Sequence, residues 1–211
     1  MNIFILANKQ QEKEILSIPP AESTSLTFAS RVDELNDASK YDAFFLLTGE
    51  SLNFKVFANK PVFINEVIKT LSEINLPSNV ARINGWFGFI ERSFWEVVSN
   101  HPDNKEAIFA ALNRKAITLK DEPGFVAARV MSMIVNEAFY ALGENISSIE
   151  DIDSAMVLGT NYPGGPFEWV EKIGVENFYR LLKKLAEKEE RYLPAPALEK
   201  LYLEIQERVD Q

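Results

Sequence analysis

One histidine stands in the whole chain, His101 in Asn100-His101-Pro102-Asp103, and there is no cysteine. A mechanism that needs two histidines, as most zinc hydrolases do, is therefore excluded. So are disulfides, thiolate metal sites and cysteine nucleophiles. His101 reads as an exposed loop imidazole; as a general base it would need a placed partner. Carboxylates gather at Glu150, Asp151 and Asp153. They could offer oxygens to a metal, but along the first turn of a helix they read as complements to its dipole. Aromatic residues cluster at Trp86, Phe87, Phe89, Phe94 and Trp95. They could line a groove for an acyl chain, although alternation in short strands reads as core. Glycine matters by its absence. None occurs before Gly49, so the first strand runs into Ala7-Asn8-Lys9-Gln10-Gln11-Glu12 without the small residues that let a backbone approach a pyrophosphate. Lys9 could offset phosphate charge but does not replace that cradle.

Short apolar runs and helix-like stretches must position these groups. Strands are expected at Asn2 to Leu6, Ser25 to Ala29, Asp42 to Leu47, Pro61 to Ile64, Val80 to Asn84, Phe94 to Val98 and Ala116 to Leu119. Helices are expected between them at Lys9 to Ser17, Arg31 to Asn36, Glu66 to Glu73 and Asn104 to Asn113. That alternation predicts right-handed crossovers and a mainly parallel sheet, with the fifth and sixth strands as a hairpin-like pair. After Leu119 the pattern becomes helical. Lys120-Asp121-Glu122-Pro123-Gly124 opens a strongly apolar helix from Phe125 to Leu142, closed by Gly143. Ser148 to Asp151 reads as a capping box for a helix that stops at Gly159. Phe167 to Ile173, Val175 to Glu189 and Leu198 to Val209 complete the series, with Lys183, Lys184 and Glu187 to Glu190 on a solvated face. The expected domains are 1–119, α/β, and 120–211, all-α.

The helix over 125–142 is apolar nearly all round. Val126, Val130, Met133 and Ile134 form one stripe, and Phe125, Met131, Val135, Ala138 and Phe139 widen it. A helix of that kind is buried on most sides, either as the centre of its own core or across a dimer interface. A net charge of -9 argues against nucleic-acid or anionic-membrane partners, which need clustered cations. No apolar run reaches the ~20 residues needed to span a bilayer, and the N-terminus lacks a signal-peptide pattern. A cysteine-free chain of this kind is expected in the cytoplasm.

The helical half also carries a family likeness. Asp121-Glu122-Pro123-Gly124-Phe125-Val126-Ala127-Ala128-Arg129-Val130, Val135-Asn136-Glu137-Ala138-Phe139, Asp151-Ile152-Asp153-Ser154-Ala155-Met156 and Leu158 to Trp169 come in order, followed by Glu190-Arg191-Tyr192 and Pro194-Ala195-Pro196. Together they resemble the C-terminal domain of 3-hydroxyacyl-CoA dehydrogenases over about residues 116–200. The first half resembles that family only through Arg82-Ile83-Asn84-Gly85, Phe89 and Val97-Val98. The resemblance implies an abridged Rossmann-like domain followed by a helical domain that dimerises and closes an acyl-CoA cleft. It names as candidate dimer or cleft face Phe125, Val126, Val130, Met133, Ile134, Tyr162, Phe167 and Trp169.

Measured against that family, the chemistry is missing. Its catalytic histidine corresponds to Phe87, whose ring moves no proton. Its orienting glutamate falls near Ser99, its asparagine at Ala128, and its serine loop near Asn65, where no hydroxyl stands. No catalytic residue, metal or cofactor is therefore expected. Three readings follow: a dimeric, partner-binding family member without activity, homodimeric or paired with a related dehydrogenase; a non-catalytic acyl-CoA binder, with Lys55, Lys60 and Lys69 as candidates for CoA phosphates; or an active NAD-dependent 3-hydroxyacyl-CoA (3-hydroxybutyryl-CoA) dehydrogenase of fatty-acid metabolism.

Overall fold

The computed structural model describes residues 1–50, 53–100 and 104–209. His101 lies outside them. Two compact units result, Met1–Phe125 and Val126–Gln211.

The first unit is built on seven strands: β1 (Asn2–Leu6), β2 (Ser25–Ala29), β3 (Ala43–Leu46), β4 (Val62–Asn65), β5 (Val80–Ile83), β6 (Phe94–Ser99) and β7 (Lys115–Thr118). They lie in the order β2-β1-β3-β4-β5-β6-β7. Every pairing is parallel except β5 with β6, which run antiparallel as the short link between them predicts. The chain reverses direction across the sheet between β1 and β3, the switch point where an open α/β sheet leaves a crevice.

Runs such as Ile3-Phe4-Ile5-Leu6 and Ala43-Phe44-Phe45-Leu46 are apolar at every position because both faces of the sheet are covered. On one face Ile3, Ile5, Phe45, Phe63 and Val97 meet Ile15 of α1 (Lys9–Leu16) and Ile108, Phe109 and Leu112 in and just beyond α3 (Lys105–Ala111). On the other, Phe4, Leu6, Phe44, Leu46 and Val62 are covered by Phe57 and by the partly buried Val32, Leu35, Ala38 and Phe54.

Among the described residues that second cover contains only short helical turns. The expected helix at Arg31 to Asn36 is a 3-10 turn at Val32–Glu34, because the Glu34 carboxylate accepts from the Ser30 and Arg31 N–H groups. The one at Glu66 to Glu73 shrinks to α2 (Leu71–Ile74). Glu66 accepts from the N–H groups of Ile68 and Lys69, which holds a turn, and Thr70 with Glu73 starts the helix only at Leu71.

The boundary falls after Phe125, later than Leu119. Asp121 accepts from the N–H groups of Leu71 (3.0 Å) and Ser72 (3.2 Å) and pairs with the fully buried Arg82 at 2.8 Å. Arg82 also donates to the Glu122 carbonyl and stacks on the Phe125 ring, 4.4 Å from its centroid. These bonds keep 120–125 with the sheet. Phe125 has φ +50°, which delays the next helix to Ala127.

The second unit comprises α4 (Ala127–Gly143), α5 (Ile149–Thr160), α6 (Pro166–Ile173), α7 (Val175–Ala186) and α8 (Pro196–Val209). α8 opens two residues earlier than expected, with proline at its first position. Helix α4 packs against α6, α7 and α8. Its Asn136 donates to the Leu193 carbonyl and accepts from Ala195 N–H, tying down the Pro194-Ala195-Pro196 segment. Ser148 caps α5 through the Asp151 N–H, and Asp151 takes the Ser147 hydroxyl instead of completing a capping box.

Candidate functional site

The crevice at the carboxyl ends of β1, β3, β4 and β5 is where an open α/β sheet holds its ligand. Here the chain's own side chains occupy it. Asn8 and Gln11 form a reciprocal capping box at the start of α1: Gln11 N–H donates to Asn8 Oδ1 and Asn8 N–H to Gln11 Oε1, both at 2.9 Å. Gln11 Nε2 then donates to the Leu47 carbonyl at 3.0 Å, linking the first turn of α1 to the residue after β3. The side chain of Asn65 approaches the same carbonyl at 3.4 Å and accepts from Gly85 N–H at 3.0 Å. A methyl on Gly85 would sit 2.7 Å from Asn65 Cγ, so glycine is required there by packing.

A diphosphate seated on α1 needs free first-turn N–H groups and open space beside them. Here it would first have to break the Asn8–Gln11 box and the Gln11–Leu47 bond.

Beside this chain of amides lies a second polar pair. Buried Asn84, just past β5, donates to Glu96 Oε2 of β6 at 2.9 Å. Ser99 pairs with Ala81, towards the opposite end of β5. The carboxylate beside the Gly85 turn is thus Glu96. Phe87 is partly buried in that turn. The turn is pinned by Glu14, whose Oε2 accepts from Gly88 N–H at 3.0 Å. Burial raises the Glu14 pKa, against the bonds from Gln10 and Gly88 and with a smaller push from Glu91.

The remaining candidates disperse. Trp95 belongs to the core, edge-on to Phe45 and Phe109, and Trp86 and Phe89 are buried, whereas Phe94 is half exposed. Lys60 donates to the carbonyls of Ala38, Ser39 and Tyr41 and so serves the fold; Lys55 and Lys69 are exposed. Among the described residues no cluster of three His, Cys, Asp or Glu could hold a metal. Asp153 does not serve its own helix: its carboxylate accepts from Phe167 N–H (2.9 Å) and Glu168 N–H (3.0 Å), capping α6.

The helical unit presents a groove of about 550 Å³ between α4 and α5, lined mainly by Val130, Met133, Ile134, Ile152 and Met156. Of the expected face, Val126 and Val130 are more than half exposed, and Met133 and Ile134 line the groove. Of the other members, Phe125, Phe167 and Trp169 are buried and Tyr162 is partly buried. Phe125 lies in the first unit under Arg82. Phe167 and Trp169 are core residues, against Phe139 and Tyr162 respectively. Ala128 is fully buried in α4. Along the stripe Val130 is open, while Met133 and Ile134 are partly buried.

Residues 124–207 match the family described as 3-hydroxyacyl-CoA dehydrogenase, C-terminal domain. That stretch carries the C-terminal domain of the 3-hydroxyacyl-CoA dehydrogenase family. It is 41% identical over 87 residues to the 3-hydroxyadipyl-CoA dehydrogenase of Escherichia coli, covering 40% of this chain and 18% of that protein. It is 35% identical over 93 residues to the 3-hydroxybutyryl-CoA dehydrogenase of Bradyrhizobium diazoefficiens, covering 43% of this chain and 32% of that one. The matches thus span about a fifth to a third of these curated relatives. Across both units the fold is that of the (S)-3-hydroxybutyryl-CoA dehydrogenase of Ralstonia eutropha, with TM-score 0.69, 17% identity, and coverage of 96% of this chain and 93% of that one. Among the described residues no helix is long and apolar enough to cross a membrane.

Three of these groups went unnoticed in the sequence. Asn8-Lys9-Gln10-Gln11 carries the capping-box spacing and could have been found. The Asn65–Gly85 and Asn84–Glu96 contacts join separate strands and leave no local signal.

Proposed function

We propose that this chain, a relative of 3-hydroxyacyl-CoA dehydrogenases, does not transfer hydride, and acts as a self-associating binding protein through its helical unit. One observation carries the reading: the β1–α1 turn closes on itself through Asn8 and Gln11 and reaches across the crevice to Leu47. Phe87 supports it, since a phenyl ring in the Gly85 turn neither takes nor returns the proton of a hydroxyl. The exposed Val126 and Val130, beside the partly buried Met133 and Ile134, support self-association. The ligand class that the relatives' names suggest is a CoA ester.

Thermal shift of the purified protein with NADH and, separately, with acetoacetyl-CoA tests this, together with NADH oxidation in the presence of acetoacetyl-CoA. Stabilisation by the CoA ester alone assigns an acyl-CoA-binding role, and stabilisation by neither assigns partner binding. Stabilisation by NADH, or turnover, overturns the proposal in favour of an active NAD-dependent dehydrogenase.

A further inference from the structure

β2 is the terminal strand of the sheet on its side, paired with β1. Ser25 N–H donates to the Met1 carbonyl and Ala7 N–H to that of Ala29, both at 2.9 Å. The odd-numbered residues of β2 therefore face β1, and the N–H and carbonyl groups of Leu26 and Phe28 point outward. Natural sheets guard such an edge with charge, proline or a bulge. Ser25-Leu26-Thr27-Phe28-Ala29 has none of these and pairs with β1 residue for residue. The opposite edge is guarded, with Lys115 in β7 and Lys120 just beyond it.

The β2 strand is also complementary to itself. Placed antiparallel about a two-fold axis beside Thr27, Leu26 of each copy faces Phe28 of the other, and each such pair exchanges two hydrogen bonds. Leu26 and Phe28 are partly buried against the core on the α1 side, so the pairing continues that core from one copy into the next. Thr27 meets Thr27 on the other face, where it is exposed. Residues 23–30 carry no charge, so no like charges meet in this register although each chain carries -9. We propose that two copies of this chain join their sheets edge to edge through β2, antiparallel, with the two-fold axis beside Thr27. This surface belongs to the first unit and does not depend on the helical one.

The facing Thr27 Cα atoms would lie about 4.5 Å apart, within reach of a disulfide. The chain has no cysteine, so an introduced one can bond only to another copy. On mild oxidation Thr27→Cys is expected to give a covalent dimer on a non-reducing gel, and Thr118→Cys, at an exposed position of β7, is not. In sedimentation equilibrium Thr27→Lys and Thr27→Glu should each weaken association roughly ten-fold, and an equimolar mixture of the two should restore it. A contact through the helical unit would respond to neither change, and capture of a foreign strand would not be restored by mixing. Cross-linking no greater in Thr27→Cys than in Thr118→Cys, or weakening that the mixture does not reverse, overturns the proposal. So does wild-type protein that sediments as Thr27→Lys does.

Discussion

Replacing Gly165 by alanine tests the logic of the Pro163-Gly164-Gly165-Pro166 turn. The new methyl would lie 2.1 Å from Asp153 Cγ and 2.3 Å from its Oδ1, distances no packing tolerates. Gly165 has φ -80°, which alanine adopts freely, so backbone strain adds nothing. The carboxylate must therefore leave, giving up its bonds to Phe167 and Glu168 N–H. Losing a helix cap costs about 0.5–2 kcal/mol, and bonds to a charged acceptor carry about 1.5–3 each before solvent replaces them. A loss of about 3 kcal/mol is expected for Gly165→Ala, and about 2 for Asp153→Ala. Because the clash exists only while Asp153 is present, Gly165→Ala on the Asp153→Ala background should cost under about 0.5 kcal/mol. Urea unfolding followed by far-ultraviolet circular dichroism, which weights the helical unit, closes the cycle. Additive costs would refute the capping argument.

Other expectations address the first unit. Burial raises the pKa of Glu14, so its native form holds a proton more tightly than the unfolded chain does. Its contribution is full below the ordinary carboxylate value and lost as pH rises through the raised one. Glu14→Gln should remove that loss, and the urea midpoints of wild type and variant, compared from pH 4 to 7, should diverge upward in pH in the variant's favour; a constant difference would count against it. Arg82→Met strands Asp121 and removes the bond to the Glu122 carbonyl, and should cost about 3–5 kcal/mol by chemical denaturation. A change under 1 kcal/mol would mean the 120–125 segment is held by something else. Phe87→His restores a titratable ring without opening the β1–α1 turn, so it should give no oxidation of NADH by acetoacetyl-CoA; detectable turnover would show that the turn can admit the cofactor.

The sheet was legible because strands covered on both faces read as unbroken apolar runs, and Ile3 to Leu6 and Ala43 to Leu46 are such runs. The helices between them were less so. Glu34 and Glu66 look like ordinary helix formers, and only their bonds to nearby N–H groups turn those stretches into tight turns. At the site, the missing glycines and Phe87 were plain in the sequence. Glu96 was not, since its place opposite Asn84 depends on where β6 pairs with β5. Phe167 and Trp169 looked like interface residues because type alone does not separate the inner from the outer side of a short helix.

The side of the sheet roofed by 3-10 turns bears on how small a doubly wound architecture can become. Phe4, Phe44 and Phe57 are sealed there to 1% exposure or less by loops only a few residues long. Water is excluded by whatever lies above the strands, and rings such as Tyr41, edge-on to Phe4 at 5.3 Å, do this as well as a helix would. Crossing segments can thus be cut nearly to the bone while the pleated floor beneath them stays dry.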